Sequence, residues 1–283
     1  MRALGGSACR VQEEKLEEGL QVVTIGLFDS GLGGLTVVRE VKKQLPGANV
    51  EFYGDNGRNP YGPLPKEKIV EYSRQILDFL STKGIDLAII ACNTATAAAL
   101  DEVKDAYPFP VLGVIEPGAR GAIAATNNKK VGILGTQFTV ESGAYDRVLK
   151  SMDPEIQVFG QACPLFTPYV EQGKQDSEEA DQATADYLSN LKGTGIDTLV
   201  LGCTHYPVLI NVIRRHMEAG VSIVDPAVET VAQAKELLKD KISAAAITAP
   251  SYRFYTSGDP ALFARLGANI LGESLDHVER VVL

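Results

Sequence analysis

Hydrophobic and polar positions alternate along this chain in blocks, with short apolar runs separated by longer amphipathic stretches. The apolar runs cover residues 25–28, 87–91, 111–115, 131–134, 198–202 and 221–224. Runs of this length are typical of buried parallel strands. Between them, residues 66–83 place Ile69, Tyr72, Ile76 and Leu80 at helical spacing, and stretches 96–107, 178–191 and 228–238 also predict helices. Strands that alternate with helices predict parallel sheets covered by helices on both faces.

The pattern also repeats. Asp86 and Asp197 each precede an apolar run that ends in a cysteine six residues later, Cys92 and Cys203, and the two cysteines are 111 residues apart. The apolar run that starts at residue 25 recurs at residue 131, and the Glu-Pro pair at 116–117 recurs as Asp-Pro at 225–226. Three matches in the same order indicate two similar α/β halves.

A chain of 283 residues with 45% hydrophobic content can fill two such cores. The segment after residue 229 exceeds what a second copy needs, and residues 253–257 predict one more strand. We therefore expect an N-terminal extension over 1–24, a first domain formed by 25–115 plus about 229–283, and a second domain over 116–228. Each domain should hold a central, mostly parallel sheet flanked by helices, and a pseudo-twofold axis should relate the two.

Composition narrows the partners and the compartment. A formal net charge of −9 and a pI near 5.0 argue against nucleic acid or an anionic membrane as the main partner. Residues 1–24 lack the apolar core of a signal peptide and no run is long enough for a membrane helix, which favours the cytoplasm. The four cysteines form no C-x-x-C pair and are expected to be free thiols, while the three histidines form no metal motif.

The two repeated cysteines are the main candidates for chemistry. A cysteine at the end of an apolar strand is more often a packing residue. Here, however, each is followed by hydrogen-bonding residues, Asn93-Thr94 and Thr204-His205, at the carboxyl edge where open α/β folds bind ligands. Two acid/base groups at equivalent positions can face one carbon atom from opposite sides, which inversion of a stereocentre requires.

Such a pair needs one ionised and one protonated thiol, so its surroundings matter. Both cysteines lie where a strand gives way to a helix, whose N-terminus favours a thiolate. His205 is two residues from Cys203, and Asp29 could approach Cys92 from the adjacent predicted strand. The glycine-rich turn that follows Asp29 is not a dinucleotide fingerprint, because Thr36 stands where the third glycine is needed. The turn is better suited to present a carboxylate and backbone N–H groups to a ligand that carries an ammonium group.

Seven motifs, in order, resemble those of the cofactor-independent glutamate racemases of the aspartate/glutamate racemase family. They are IGLFDSGLGGLTV, PYG, ACNTAT, VLGVIEPGA, VGILGT, CPLFTPYVE and LGCTHYP, and the resemblance extends over residues 25–283. It implies interconversion of L- and D-glutamate without a cofactor, D-glutamate being supplied to peptidoglycan. It further implies an active site in the cleft between the domains and a homodimer. The extension over 1–24 resembles longer members, some of which a peptidoglycan precursor activates.

The resemblance also implies roles for individual residues. Cys92 and Cys203 would be the acid/base thiols, and Asp29, Glu171 and His205 would assist them or hold the ammonium group. Glutamate would be bound by Asp29, Ser30, Tyr61, Gly62, Asn93, Thr94, Thr204 and His205. Asp55 is a weaker candidate of the assisting kind. The sequence departs from the family pattern in the loop after Asp55, at Asn56-Gly57.

Other functions remain open at this level. A racemase for aspartate or another amino acid, or a relative that isomerises or decarboxylates a diacid, would use the same thiols. A two-lobed amino-acid sensor whose cysteines only pack would bind glutamate without proton exchange, and a pyridoxal enzyme would show the absorbance of its cofactor.

Overall fold

In the residues that the structure describes, ten strands form two sheets, and every neighbouring pair of strands is parallel. The computed structural model describes residues 22–244 and 249–283, so most of the predicted extension and Cys9 lie outside the described residues. The strands are β1 Thr24–Asp29, β2 Asn49–Gly54, β3 Leu87–Ile90, β4 Val111–Gly113, β5 Lys130–Gly135, β6 Gln157–Ala162, β7 Thr198–Gly202, β8 Ser222–Val224, β9 Tyr252–Thr256 and β10 Val278–Arg280.

The strand order shows the duplication directly. The first sheet has the order β10-β9-β2-β1-β3-β4 and the second β6-β5-β7-β8. The block β2-β1-β3-β4 therefore has the same order as β6-β5-β7-β8, with β1 equivalent to β5 and β3 to β7. Strands β9 and β10, near the end of the chain, extend the first sheet beyond β2.

Helices connect the strands and cover the sheets. They are α1 Leu35–Gln44, α2 Lys66–Ser81, α3 Asn93–Val103, α4 Ile115–Ala125, α5 Gln137–Glu141, α6 Ala144–Met152, α7 Phe166–Glu171, α8 Glu178–Ser189, α9 Ile210–His216, α10 Pro226–Leu237, α11 Lys239–Ala244 and α12 Pro260–Leu271, and a 3₁₀ turn covers Tyr206–Leu209. The α/β class, with two parallel sheets flanked by helices, is confirmed.

Within the described ranges, a buried apolar cluster lies on each of the four sheet faces. In the first sheet, Leu27 and Phe52 pack against α1, α10 and α12 on one face, while Phe28 and Ile90 pack against α2 and α3 on the other. In the second sheet the two clusters involve α7 and α8 on one side and α4 and α6 on the other. Because both faces are covered, the central strands are apolar throughout rather than alternating; β7, for example, is buried over its whole length.

The two repeated aspartates have structural positions at the opposite ends of their strands from the cysteines. Asp86 accepts a hydrogen bond from the Thr24 N–H at 2.8 Å, and Asp197 accepts from the N–H groups of Asn127 and Asn128 at 2.7 and 2.9 Å. Each aspartate thereby fixes the chain that leads into the equivalent strand, β1 or β5.

Among the helices in the described part of the chain, none is long and apolar enough to cross a membrane.

Candidate active site

A small pocket lies where the carboxyl ends of the two sheets meet, with an empty volume of about 270 Å³. Both repeated cysteines line it, one from each sheet. Of the residues predicted from sequence, Ser30, Tyr61, Gly62, Cys92, Asn93, Thr94, Cys203, Thr204 and His205 line this pocket. Asp29 and Glu171 lie behind the lining and contact it through Thr204 and His205.

Cys92 lies two residues after the end of β3 and caps the N-terminus of α3. Its Sγ accepts a hydrogen bond from the Ala95 N–H at 3.4 Å and lies 3.6 Å from the Ser30 hydroxyl. Burial, followed by the nearby charge of Asp29, raises the pKa of the Cys92 thiol to about 12, even though the Ala95 and Ser30 contacts act to lower it. Desolvation therefore outweighs the helix N-terminus in its effect on the pKa of this thiol.

Cys203 follows β7 and has different neighbours. Its Sγ lies 3.7 Å from His205 Nδ1 and 3.8 Å from the Thr167 hydroxyl. The other ring nitrogen of His205, Nε2, is 2.7 Å from Glu171 Oε1. Burial acts to lower the pKa of His205, but the hydrogen bonds with Cys203 and Glu171 raise it well above its ordinary value. Cys203, His205 and Glu171 thus form a continuous line of acid/base groups.

Glu171, the last residue of α7, is held by three donors. Its Oε1 accepts from His205 and from the Leu32 N–H at 2.9 Å, and its Oε2 accepts from Asn56 Nδ2 at 3.2 Å. Burial acts to raise the pKa of Glu171, but these hydrogen bonds and the charge of His205 lower it overall. Glu171 is therefore an ionised partner for an imidazolium at His205.

Asp29 is completely buried at the end of β1. Its carboxylate accepts hydrogen bonds from the Gly31 N–H and the Thr204 hydroxyl, both at 2.9 Å. Burial raises its pKa despite these contacts and the charge of His205. Asp29 acts on Cys92 through its charge, and the neighbouring side chain that contacts the thiol is Ser30.

Polar groups line the rest of the pocket. Helix α3 begins at Asn93, which lines the pocket, so the N-terminus of this helix lies at the cavity, where it can bind an anionic group. The hydroxyls of Thr94 and Thr136 are 2.9 Å apart, and the Tyr145 hydroxyl donates to Asn93 Oδ1 at 2.8 Å across the two sheets. Among the residues that the structure describes, no Lys or Arg lines this pocket.

Asp55, the weaker candidate, lies behind the pocket wall rather than in it. Its carboxylate accepts from Arg58 Nε at 2.7 Å, from the Ser257 hydroxyl at 2.6 Å and from the Tyr61 hydroxyl. These contacts fix the loop that carries Tyr61 and Gly62 into the pocket.

The pocket also contains residues that the sequence did not predict: Asn59, Pro60, Thr136 and Thr167. Thr136 could have been found, because it follows β5 at the position that Ser30 holds after β1. Thr167 has no counterpart in the repeat, but it lies in the CPLFTPYVE motif that also contains Glu171; the packing of α7 brings its hydroxyl to Cys203. In the described part of the chain, no cluster of three or more His, Cys, Asp or Glu side chains could hold a metal ion.

Known proteins match the chain over most of its length. The family described as Asp/Glu/Hydantoin racemase matches residues 33–234. A glutamate racemase of Enterococcus faecalis is 45% identical over 250 residues, covering 88% of this chain and 92% of that relative. Crystal structures of a Bacillus anthracis glutamate racemase and of a Francisella tularensis glutamate racemase in complex with D-glutamate superpose with TM-scores of 0.89 and 0.85. Their identities are 37% and 33%, and each match covers 93% of this chain and 98% of the other.

The fold, the pocket that both sheets line and these matches define the class of protein: an amino-acid racemase, which is an isomerase. The chain belongs to the Asp/Glu/hydantoin racemase family, and within it to the glutamate racemases. The resemblance found in the sequence is confirmed.

Proposed function

We propose that this protein interconverts L- and D-glutamate by a two-base mechanism in which Cys92 and Cys203 are the acid/base groups. One observation carries the proposal: two cysteines that follow equivalent strands of duplicated sheets line a single pocket. Each thiol has its own polar support, Ser30 for Cys92 and His205 for Cys203. Relatives of this chain are glutamate racemases, and one was crystallised with D-glutamate.

In this mechanism one thiolate removes the α-proton of glutamate, and the electron pair of the broken C–H bond stays on the substrate as a carbanion. The opposite thiol then gives its proton to the other face of the same carbon and becomes the thiolate. The two sulfur atoms have exchanged protonation states, so the site is ready for the opposite enantiomer. Because burial raises the pKa of the Cys92 thiol, the ammonium group of the substrate would help to stabilise a thiolate there.

Neutral donors would hold the two carboxylates of glutamate. The N-terminus of α3, with Asn93 and Thr94, would bind one carboxylate, and the Ser30 hydroxyl and the N–H groups of Ser30, Tyr61 and Gly62 would bind the other. Thr204 and His205 complete the wall, and the buried charge of Asp29 favours an ammonium group nearby. Pre-oriented donors in a desolvated pocket can stabilise the carbanion more strongly than water does.

The remaining parts of the proposal concern biology and organisation. D-Glutamate formed in the cytoplasm would serve peptidoglycan synthesis, as the family resemblance implies. The chain would divide into a first domain over 25–115 and 229–283 and a second over 116–228; the membership of β9 and β10 in the first sheet supports this division. A homodimer is the expected assembly.

Racemisation followed by circular dichroism tests the proposal, with L- and D-glutamate compared with both enantiomers of aspartate. Cys92→Ala and Cys203→Ala should each abolish racemisation, whereas Cys163→Ala should retain it, because Cys163 is a buried cysteine outside the pocket. Turnover in deuterium oxide should place deuterium at the α-carbon of the product. Full activity in either pocket variant would contradict the two-thiol mechanism, and a preference for aspartate would contradict the substrate.

A further inference from the structure

Asn56 lies in the loop after β2, at the point where this chain departs from the family pattern. Its side-chain Nδ2 donates to Glu171 Oε2 at 3.2 Å. Its Oδ1 accepts from the Thr256 hydroxyl at 3.3 Å, so the amide is held from both ends with its N–H toward Glu171. Asn56 therefore joins a loop of the first sheet to the carboxylate that supports His205.

The two oxygens of Glu171 divide their partners between them. Oε1 accepts from His205 Nε2 and from the Leu32 N–H, while Oε2 accepts from Asn56. A carboxylate fixed only at Oε1 could rotate about its last torsion, whereas a donor on the second oxygen restrains that rotation. The carboxylate also rests against Gly31, where a Cβ atom would collide with Oε1. Glu171 is thus seated on two loops of the first sheet although it belongs to α7.

We propose that Asn56 is a positioning residue, which holds Glu171 against His205 and thereby tunes proton exchange at Cys203. The inference rests on the proposed racemase mechanism and deepens it. It also makes the two thiols unequal in a specific way, because the line from Asn56 through Glu171 and His205 ends at Cys203, whereas Cys92 contacts Ser30 and faces the charge of Asp29, which opposes its ionisation.

The charged groups that face Glu171 set the direction in which a change at Asn56 should shift the pKa of Glu171. His205 lies on one side and favours the ionised carboxylate, while Asp29 at the end of β1 is close enough for the two negative charges to repel. The Asn56 N–H is a neutral donor that favours the ionised form. Removal of the Asn56 N–H donor should therefore raise the pKa of Glu171, and a carboxylate at position 56 should raise that pKa further.

The pH dependence of kcat/KM tests this with two variants. In Asn56→Asp, which keeps the shape and replaces the donor by a second carboxylate, the acidic limb should move to higher pH by about one unit. In Asn56→Ala the same limb should move in the same direction by less. Asn211→Asp adds the same charge on an exposed position of α9 and should leave the limb in place.

Substrate isotope effects test the asymmetry between the thiols. In either Asn56 variant, the α-deuterium effect on kcat should rise for the enantiomer that Cys203 deprotonates and should not rise for the other. Equal changes with both enantiomers would overturn the proposal, because a general loosening of the pocket would affect both directions.

A measurement that needs no turnover separates this inference from the proposed function. The chain has three histidines, so the ¹⁵N signals of His205 can be assigned by comparison with His205→Gln. The acidic titration step that these signals sense from Glu171 should move upward in Asn56→Asp and Asn56→Ala. If both variants fold and neither this titration step nor the acidic limb of kcat/KM moves, the role of Asn56 is overturned. An inactive wild-type enzyme would instead overturn the proposed function.

Discussion

Asp29 is a buried residue whose negative charge serves the site but lowers the stability of the folded protein. Its carboxylate is fully buried and has two hydrogen-bond donors, the Gly31 N–H and the Thr204 hydroxyl. A buried carboxylate needs more than this to recover the solvation that it had in the unfolded chain, and burial accordingly raises its pKa. The negative charge that would attract a substrate ammonium therefore makes folding less favourable at neutral pH.

Asp29→Asn should therefore stabilise the ligand-free protein at neutral pH while it lowers racemase activity. Both forms are neutral at position 29 below the ordinary Asp pKa of about 3.9, so the variant has no advantage there. As the pH rises through the raised pKa of Asp29, the wild type must ionise a buried group and the advantage of the variant grows to a plateau. Thermal unfolding from pH 4.5 to 8 measures this difference. A variant less stable than the wild type at pH 8 would contradict the prediction.

The reactivity of the Cys92 thiol tests whether burial raises its pKa. With a pKa near 12, its thiolate fraction should increase about tenfold per pH unit from pH 7 to 10. Alkylation by iodoacetamide, resolved by peptide mass spectrometry, should therefore show a Cys92 rate that still climbs at pH 10. A plateau between pH 8 and 9 would mean that the helix N-terminus outweighs burial. Because Cys163 is also buried with a raised pKa, its peptide provides an internal comparison.

At the scale of elements, the two strand-to-helix junctions are equivalent in position and different in construction. After β3, helix α3 begins at Asn93 and its N-terminus contacts Cys92. After β7, a 3₁₀ turn follows and His205 contacts Cys203. The repeat in the sequence was enough to predict both cysteines, since strand ends recur at nearly constant spacing. It could not predict Thr167 or the contact of Asn56 with Glu171, which join segments more than 30 residues apart through tertiary packing alone.

The glycine-rich turn between β1 and α1 brings the junctions together. A Cβ atom on Gly33 would collide with the side chains of Thr204 and His205, so only glycine permits this approach of one sheet to the other. Gly33→Ala should displace His205 from Cys203 and lower kcat/KM by about 100-fold. Gly47→Ala is the matched control, because a Cβ atom there meets nothing within 4 Å. Steady-state kinetics that show equal activity in the two variants would contradict the role assigned to the turn.

For the whole molecule, the parallel sheets could be predicted from the sequence. Strands that are buried on both faces appear as continuous apolar runs, which can be recognised without knowing what packs against them. The way in which the two sheets face each other was not encoded in any local pattern. It depends on cross-sheet contacts such as Thr204 with Asp29 and Tyr145 with Asn93, whose members are 175 and 52 residues apart. The family resemblance, rather than periodicity, supplied the expectation of a cleft between them.

A ligand that bridges two sheets should protect both of them. Saturating glutamate should slow amide hydrogen exchange at residues 30–34 and 93–95, which follow strands of the first sheet. It should also slow exchange at 136 and 203–205, which follow strands of the second, because these segments meet at one pocket. Strand β10, at the far edge of the first sheet, should exchange at an unchanged rate. Aspartate, which is shorter by one methylene group, should protect less, since it cannot reach both groups of donors at once. If protection were confined to one sheet, glutamate would have to bind without bringing Cys92 and Cys203 to the same carbon atom, and a two-thiol mechanism would have no geometry in which to operate.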